Sequence, residues 1–226
     1  MDPNCLLRKI TDKFDVVIRK IEIPGGGVIR ILKVKDLDVL LDRIDPEAFA
    51  EDERLPYWAE LWPASVALAN YLCRDPLRLN TTALELGCGL ALAGISAAKN
   101  GACVLCCDYE YNALDFAQYN AYLNSVGDRM RFQYLDWREP DLSGQYSRII
   151  ASDILYDRED YPYLVHFLDR FLAQDGIFLA SDPRREHVPG FLAALTDRGY
   201  QHRRKTESAV LYGRKTKVHI HWFVKG

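Results

Sequence analysis

The chain has 226 residues, 49% of them hydrophobic, and a formal net charge of -3. That length supports one well-buried core, and no stretch has the composition of a linker, so a single domain over 55–226 with an N-terminal extension over 1–54 is expected. The charge excludes a global attraction to nucleic acid or an anionic membrane, and no apolar run is long enough to span a bilayer.

The first residues mix Asp2, Arg8, Lys9, Asp12 and Lys13 with no hydrophobic signal core, so a cytoplasmic location is expected. Residues 14–23 and 28–34 are β-rich runs separated by Pro24-Gly25-Gly26-Gly27, which predicts an antiparallel hairpin. Residues 36–53 are acidic and contain Pro46, predicting irregular structure or a short helix. Pro63 suits the first position of a helix, where its fixed φ is helical and its missing donor is no loss, and that helix is expected to run to Tyr71 or Leu72.

From there the pattern alternates. Strands are expected at 82–86, 103–107, 131–134, 148–152 and 176–180, and helices at 91–99, 111–124, 160–173 and 188–198. Runs such as Arg148-Ile149-Ile150-Ala151-Ser152 are almost continuously apolar, as in parallel strands covered on both faces. Two closing strands at 207–212 and 217–224 flank Gly213 and Arg214. The expected fold is therefore α/β: a Rossmann-like, doubly wound, mostly parallel seven-stranded sheet with an antiparallel C-terminal hairpin and an N-terminal β-hairpin extension.

The six cysteines lie mostly inside apolar runs, which fits reduced thiols. Cys103 and Cys106 form a C-x-x-C within an expected buried strand and read as small hydrophobes. His219 and His221 would share one face of a strand, but no third ligand is apparent nearby, so no metal site is expected. Arg203, Arg204, Lys205, Arg214, Lys215 and Lys217 read as a solvated edge hairpin.

The chemistry begins at Thr82-Ala83-Leu84-Glu85-Leu86-Gly87-Cys88-Gly89, an apolar strand that ends in a carboxylate and two glycines. Glycines let backbone approach a ligand closely. Glu85 would repel a pyrophosphate but suits a ligand bearing an ammonium and a sulfonium, which points to S-adenosylmethionine and away from a dinucleotide. In an open α/β sheet the ligand lies beyond the carboxyl ends of the strands, where two further acids stand: Asp108, followed by Tyr109, and Asp153. Asp108 lies roughly twenty residues past the glycines, the separation at which an acid accepts from ribose hydroxyls; its alternative role is a helix cap. Asp136 and Trp137 follow the third strand. Asp136 would accept from an adenine amine, and Trp137 would either cover that ring or be plain core.

The order Trp62-Pro63 helix, Glu85-Leu86-Gly87-Cys88-Gly89 loop, strand-ending Asp108, Asp136-Trp137 and Ser152-Asp153-Ile154-Leu155-Tyr156 resembles the seven-β-strand methyltransferases and, within them, the family 16 group of methyltransferase-like proteins. The resemblance covers about residues 55–200, and its most specific mark is the D-x-x-Y of Asp153 and Tyr156. It implies S-adenosylmethionine as cofactor, with contacts from Trp62, from Glu85 with Gly87, Cys88 and Gly89, from Asp108, from Trp137 and from the strand end at Ser152. It also implies a transfer site bordered by Asp153 and Tyr156, and a protein side chain, lysine first, as acceptor. Family loops often read G-x-G-T-G, whereas here Ala91 replaces the third glycine; alanine at a helical φ and ψ is expected to preserve the loop.

Asp153 is best cast as an anchor for the acceptor or its methylated product, since a carboxylate beside an amine raises the amine's pKa. Tyr156 would accept from the amine and offer a ring face to a cation. The alternatives are a capping or turn role for Asp153 and a half-buried aromatic on the following turn for Tyr156. Tyr57, Trp58, Trp62, Tyr109, Tyr111, Tyr156 and Tyr161 would form a collar at the rim or pack under the hairpin. Arg184 and Arg185 read as a surface pair. A monomer is expected; a cofactor-binding protein without catalysis and a small-molecule methyltransferase are the competing readings.

Overall fold

The computed structural model describes residues 2–42, 55–77 and 79–225. Helix α1 (Pro3–Thr11) opens the chain, with Asp2 accepting from the Cys5 amide and Pro3 in the first turn; Leu6 and Ile10 are its buried face. Strands β1 (Val16–Ile23) and β2 (Gly27–Val34) form the expected antiparallel hairpin, closed by Gly25 and Gly27 at positive φ. A five-residue helix, α2 (Leu37–Leu41), follows. The remainder of the acidic stretch, including Pro46, and the 54/55 boundary's N-terminal side lie outside the described residues.

Pro63 begins α3 (Pro63–Arg74) as expected. The chain then alternates through β3 (Thr82–Leu86), α4 (Leu92–Lys99), β4 (Cys103–Asp108), α5 (Tyr111–Leu123), β5 (Met130–Tyr134), β6 (Tyr146–Ser152), α6 (Tyr161–Phe171), β7 (Leu172–Asp182), α7 (Val188–Thr196), β8 (Gln201–Leu211) and β9 (Arg214–Val224). Several boundaries differ from expectation, most at two places. The helix expected to reach 173 stops at Phe171 and passes into β7 without a turn, and the closing hairpin is longer because β8 starts at Gln201.

The seven-stranded sheet runs β5-β4-β3-β6-β7-β9-β8. The first five in that order are parallel, while β9 lies antiparallel between β7 and β8. After β3 the chain moves outward to β4 and β5, then returns to pair β6 on the other side of β3. Strand order therefore reverses between β3 and β6, which places a ligand crevice at their carboxyl ends.

Alternation along the strands sorts side chains onto two cores. Leu84, Leu86, Ile149 and Ala151 pack with α6 and α7, whereas Val104, Cys106 and Ile150 face α3, α4 and α5. Ile21, Ile23, Ile29 and Ile31 of the hairpin are buried in this second core. The edge of β2 is covered by two asparagines one turn apart, Asn120 on α5 and Asn124 at its C-cap. The Leu32 amide donates to Asn120 Oδ1 at 2.7 Å and the Arg30 amide to Asn124 Oδ1 at 2.9 Å; both side-chain amides return hydrogen bonds to the same residues' carbonyls. Asn120 Nδ2 also donates to the Leu90 carbonyl at 3.2 Å, tying the hairpin to the glycine loop. No helix among the described residues is long and apolar enough to cross a membrane.

Candidate active site

The loop after β3 holds Gly87 at φ 62° and Gly89 at φ 50°, left-handed conformations that glycine adopts without strain. Ala91 is also helical but left-handed, at φ 59° and ψ 32°, so the alanine in place of the third glycine keeps the loop in a conformation unfavourable to a residue bearing a Cβ. Asp108 reaches across from the end of β4. Its Oδ2 accepts from the Gly89 amide at 2.8 Å and its Oδ1 from the Glu110 amide at 3.0 Å. Glu110, not Asp108, is the N-cap of α5. Burial pushes the Asp108 carboxyl up to about 6 against the lowering effect of those two amides.

A crevice open at its mouth lies over this loop. Of the residues expected here, Trp62, Gly87, Cys88, Gly89, Asp108, Tyr109, Trp137, Ser152, Asp153 and Tyr156 line it. Trp137 is 6% exposed, and its buried Nε1 has no hydrogen-bond partner among the described residues, an orphaned donor on the crevice wall. Glu60, which the sequence reading missed, also lines the wall and is fixed by Lys33 Nζ at 2.6 Å and the Tyr212 hydroxyl at 3.0 Å.

Two expected residues stand apart from the crevice lining. Asp136 lies in the turn after β5, where its Oδ1 accepts from the Arg138 amide at 2.8 Å. Glu85 faces the opposite side of β3 from Leu84 and Leu86, so it points beneath the loop toward α4. It is 1% exposed, accepting from the Gly94 amide at 3.0 Å and the Cys106 thiol at 3.2 Å. A Cβ at Gly94 would sit 2.2 Å from Glu85 Oε2, so the helix can approach the carboxyl only as glycine. Burial raises the Glu85 pKa from 4.5 to about 7. The folded chain therefore holds a proton that the unfolded chain releases, and stability falls as pH rises through that window. Glu85→Gln, which has no such proton, is expected to lack this decline; the fall in unfolding free energy between the acid and alkaline ends, read by urea titration, should be smaller than in wild type by about 3 kcal/mol.

A second cavity is lined by Tyr57, Trp62, Asp153, Tyr156 and Arg185, sharing the first four with the crevice. Tyr57 packs edge-on against both Trp62 and Tyr156, with centroids 5.8 and 5.6 Å apart, and Trp62 Nε1 donates to the Tyr57 carbonyl at 2.8 Å. The collar is thus Tyr57, Trp62 and Tyr156. Trp58 is clamped between Phe14 and Phe116, Tyr161 is core, and Tyr111 stacks on Tyr134 away from the crevice. Burial pushes Tyr156 up to about 12, so it stays a neutral phenol near pH 7. Asp153 follows β6 at φ 57° and is 9% exposed; burial holds its carboxyl above the usual range despite the opposing Arg185 guanidinium. Arg185, expected in a surface pair, instead reaches Asp153.

Residues 48–198 match the methyltransferase family 16, described as lysine methyltransferase. The chain belongs to this family. Among its family 16 relatives, it is 32% identical over 168 residues to protein N-lysine methyltransferase METTL21A of Xenopus tropicalis, covering 72% of this chain and 75% of the relative. It is 33% identical over 196 residues to the electron transfer flavoprotein beta subunit lysine methyltransferase of Xenopus laevis, covering 81% and 76%. The fold of this family 16 chain is similar to that of magnesium protoporphyrin IX methyltransferase (ChlM) from Synechocystis PCC 6803 with bound SAM, at TM-score 0.57 and 19% identity over 81% of this chain and 86% of that one. S-adenosylmethionine is the cofactor, and the crevice fits it: a glycine loop for close approach, buried carboxylates for a cationic ligand and an orphaned indole donor.

The two histidines for which no third ligand was apparent gain one through the pairing of β9 with β7, since Asp182 lies beside His219. Ligating atoms of Asp182, His219 and His221 lie within 4.8 Å of one another. Two of the three already form a hydrogen-bonded chain, with His221 Nε2 on Asp182 Oδ2 at 2.7 Å and Nδ1 on His202 Nε2 at 2.9 Å.

Proposed function

We propose that this methyltransferase modifies the ε-amine of a lysine in a protein, with Trp62, the Gly87–Gly89 loop, Asp108, Tyr109, Trp137 and Ser152 holding the cofactor and Asp153 and Tyr156 serving the acceptor. The observation that carries this reading is the pair of cavities sharing Tyr57, Trp62, Asp153 and Tyr156: one over the glycine loop, the other an aromatic collar ending at a carboxylate. When bound, S-adenosylmethionine supplies a methyl group on a sulfonium, and the acceptor's lone pair forms the C–N bond as the C–S bond breaks with its electrons left on sulfur. The protein's part is alignment and exclusion of water. Tyr57, Trp62 and Tyr156 present ring surface to an alkylammonium, Tyr156 offers a neutral phenol oxygen to the amine, and Asp153 meets the charge that appears on nitrogen. Water takes the proton.

The shared family and lysine methyltransferase relatives support a protein acceptor. Six cysteines without a disulfide support a cytoplasmic location. Labelled S-adenosylmethionine incubated with the chain and a methylation-depleted lysate is expected to give discrete labelled protein bands carrying methyllysine. Label moving only with small molecules would favour a metabolite acceptor, and cofactor binding without any label would favour an interaction module.

A further inference from the structure

Asp153 already carries a cation on one of its two oxygens. Its Oδ1 accepts from Arg185 Nη2 at 2.7 Å and from Arg185 Nε at 3.1 Å. An acceptor ammonium reaching this carboxylate therefore meets a cation already bound to Oδ1. Arg185 is set there from its backbone: its amide donates to Asp182 Oδ1 at 2.8 Å, while Asp182 Oδ2 is held by His221 and, through it, by His202. The guanidinium side chain is 31% exposed against 7% for Asp153, so it has solvent to move into when displaced.

We propose that Arg185 is a displaceable counter-ion: it occupies Asp153 in the resting pocket, yields that carboxylate to a cationic acceptor side chain, and stays beside it to loosen the acceptor's proton. The inference rests on Asp153 serving the acceptor.

The chemical need is specific. An ammonium has no lone pair, and an unopposed carboxylate strengthens its hold on the proton. Among the described residues lining this cavity Arg185 is the one cation. The other charged groups acting on Asp153 and Tyr156 are acidic: Asp182 at the end of β7, Asp108 at the end of β4, and Asp157 and Asp160 before α6. Without Arg185 the acceptor would meet Asp153 with no cation lining the cavity, the nearby Arg138 being paired with Asp160, and would bind more tightly and remain protonated. With it, Asp153 still orients the nitrogen while the neighbouring positive charge favours release of the proton to water, leaving the lone pair free for the C–N bond.

Arg185→Gln removes the charge and Arg185→Lys keeps it. One readout needs no turnover: in a carbon-13 carboxyl titration of the cofactor-free chain, R185Q is expected to raise the Asp153 midpoint by about one pH unit, with R185K close to wild type. The second is label transfer into the methylation-depleted lysate across the neutral and alkaline range. R185Q is expected to lower the acceptor concentration at half-maximal rate, lower the maximal rate, and move the acid limb of the profile upward by about one pH unit, with R185K restoring it. A purely structural role for Arg185 would not move that limb. An R185Q chain whose Asp153 titration and pH profile both match wild type overturns the inference and leaves the transferase reading standing. A wild-type chain that labels nothing at any pH overturns that reading, and the acceptor role of Arg185 with it.

Discussion

Asp153→Asn is expected to lower methyl transfer by about 100-fold while leaving cofactor affinity unchanged, the loss typical of a misplaced reacting group. Asparagine is the informative substitution. Asp153 sits at φ 57°, a conformation that costs asparagine less than alanine, so the variant removes the charge with little added backbone strain. Arg185 loses its partner in this variant, but it is partly solvated and can turn outward. Calorimetry with S-adenosylhomocysteine, the demethylated product, should match wild type, whereas label transfer should nearly vanish. Normal turnover would remove Asp153 from the acceptor site and return it to a turn residue.

Asp108→Asn is expected to weaken cofactor binding by at least about tenfold, the cost of losing hydrogen bonds to an ionised acceptor. The same variant should be less stable than wild type at neutral pH, because asparagine can accept from only one of the Gly89 and Glu110 amides and turns a donor toward the other. Binding of a cation, and of hydroxyl donors, selects the ionised carboxylate. Wild-type affinity should therefore fall as pH drops below about 6, and the variant should lose that dependence. Titration calorimetry at two pH values measures both effects. Equal affinities would leave Asp108 with the loop-tying contacts to Gly89 and Glu110 as its whole role.

The parts legible in the sequence were those whose cause is local. Pro63 marks the start of α3, Pro24 to Gly27 marks the hairpin turn, and the alternation from residue 82 onward announces the parallel sheet. Helix α1 had an equally local signal in Asp2-Pro3, a cap followed by an N1 proline, and was missed because its short amphipathic face precedes a β-rich run. The junction of α6 and β7 carries no turn residue between Phe171 and Leu172, so nothing in composition separates them.

Within the site, the glycine loop and the strand-end acids were legible from residue type and position, while the aromatic residues left a rim collar and packing under the hairpin both open. Directions were not legible. Glu85 was placed with the ligand because it adjoins the glycines, yet strand alternation sends it under the loop to Gly94, opposite Leu84 and Leu86. The partnership of Arg185 with Asp153 spans 32 positions in sequence and arises only because β6 and β7 pair in register, Ser152 beside Ser181, bringing the two segments that follow to one rim. Asp182 joins the histidines of β9 for the same reason.

The central claim is that the crevice over the glycine loop opens onto the collar of Tyr57, Trp62 and Tyr156 at Asp153. A crystal structure of the chain soaked with S-adenosylhomocysteine tests it most directly. The account predicts the ligand's ribose at Asp108 and its sulfur facing the collar; a ligand bound elsewhere, or a sulfur walled off from Asp153, would contradict it.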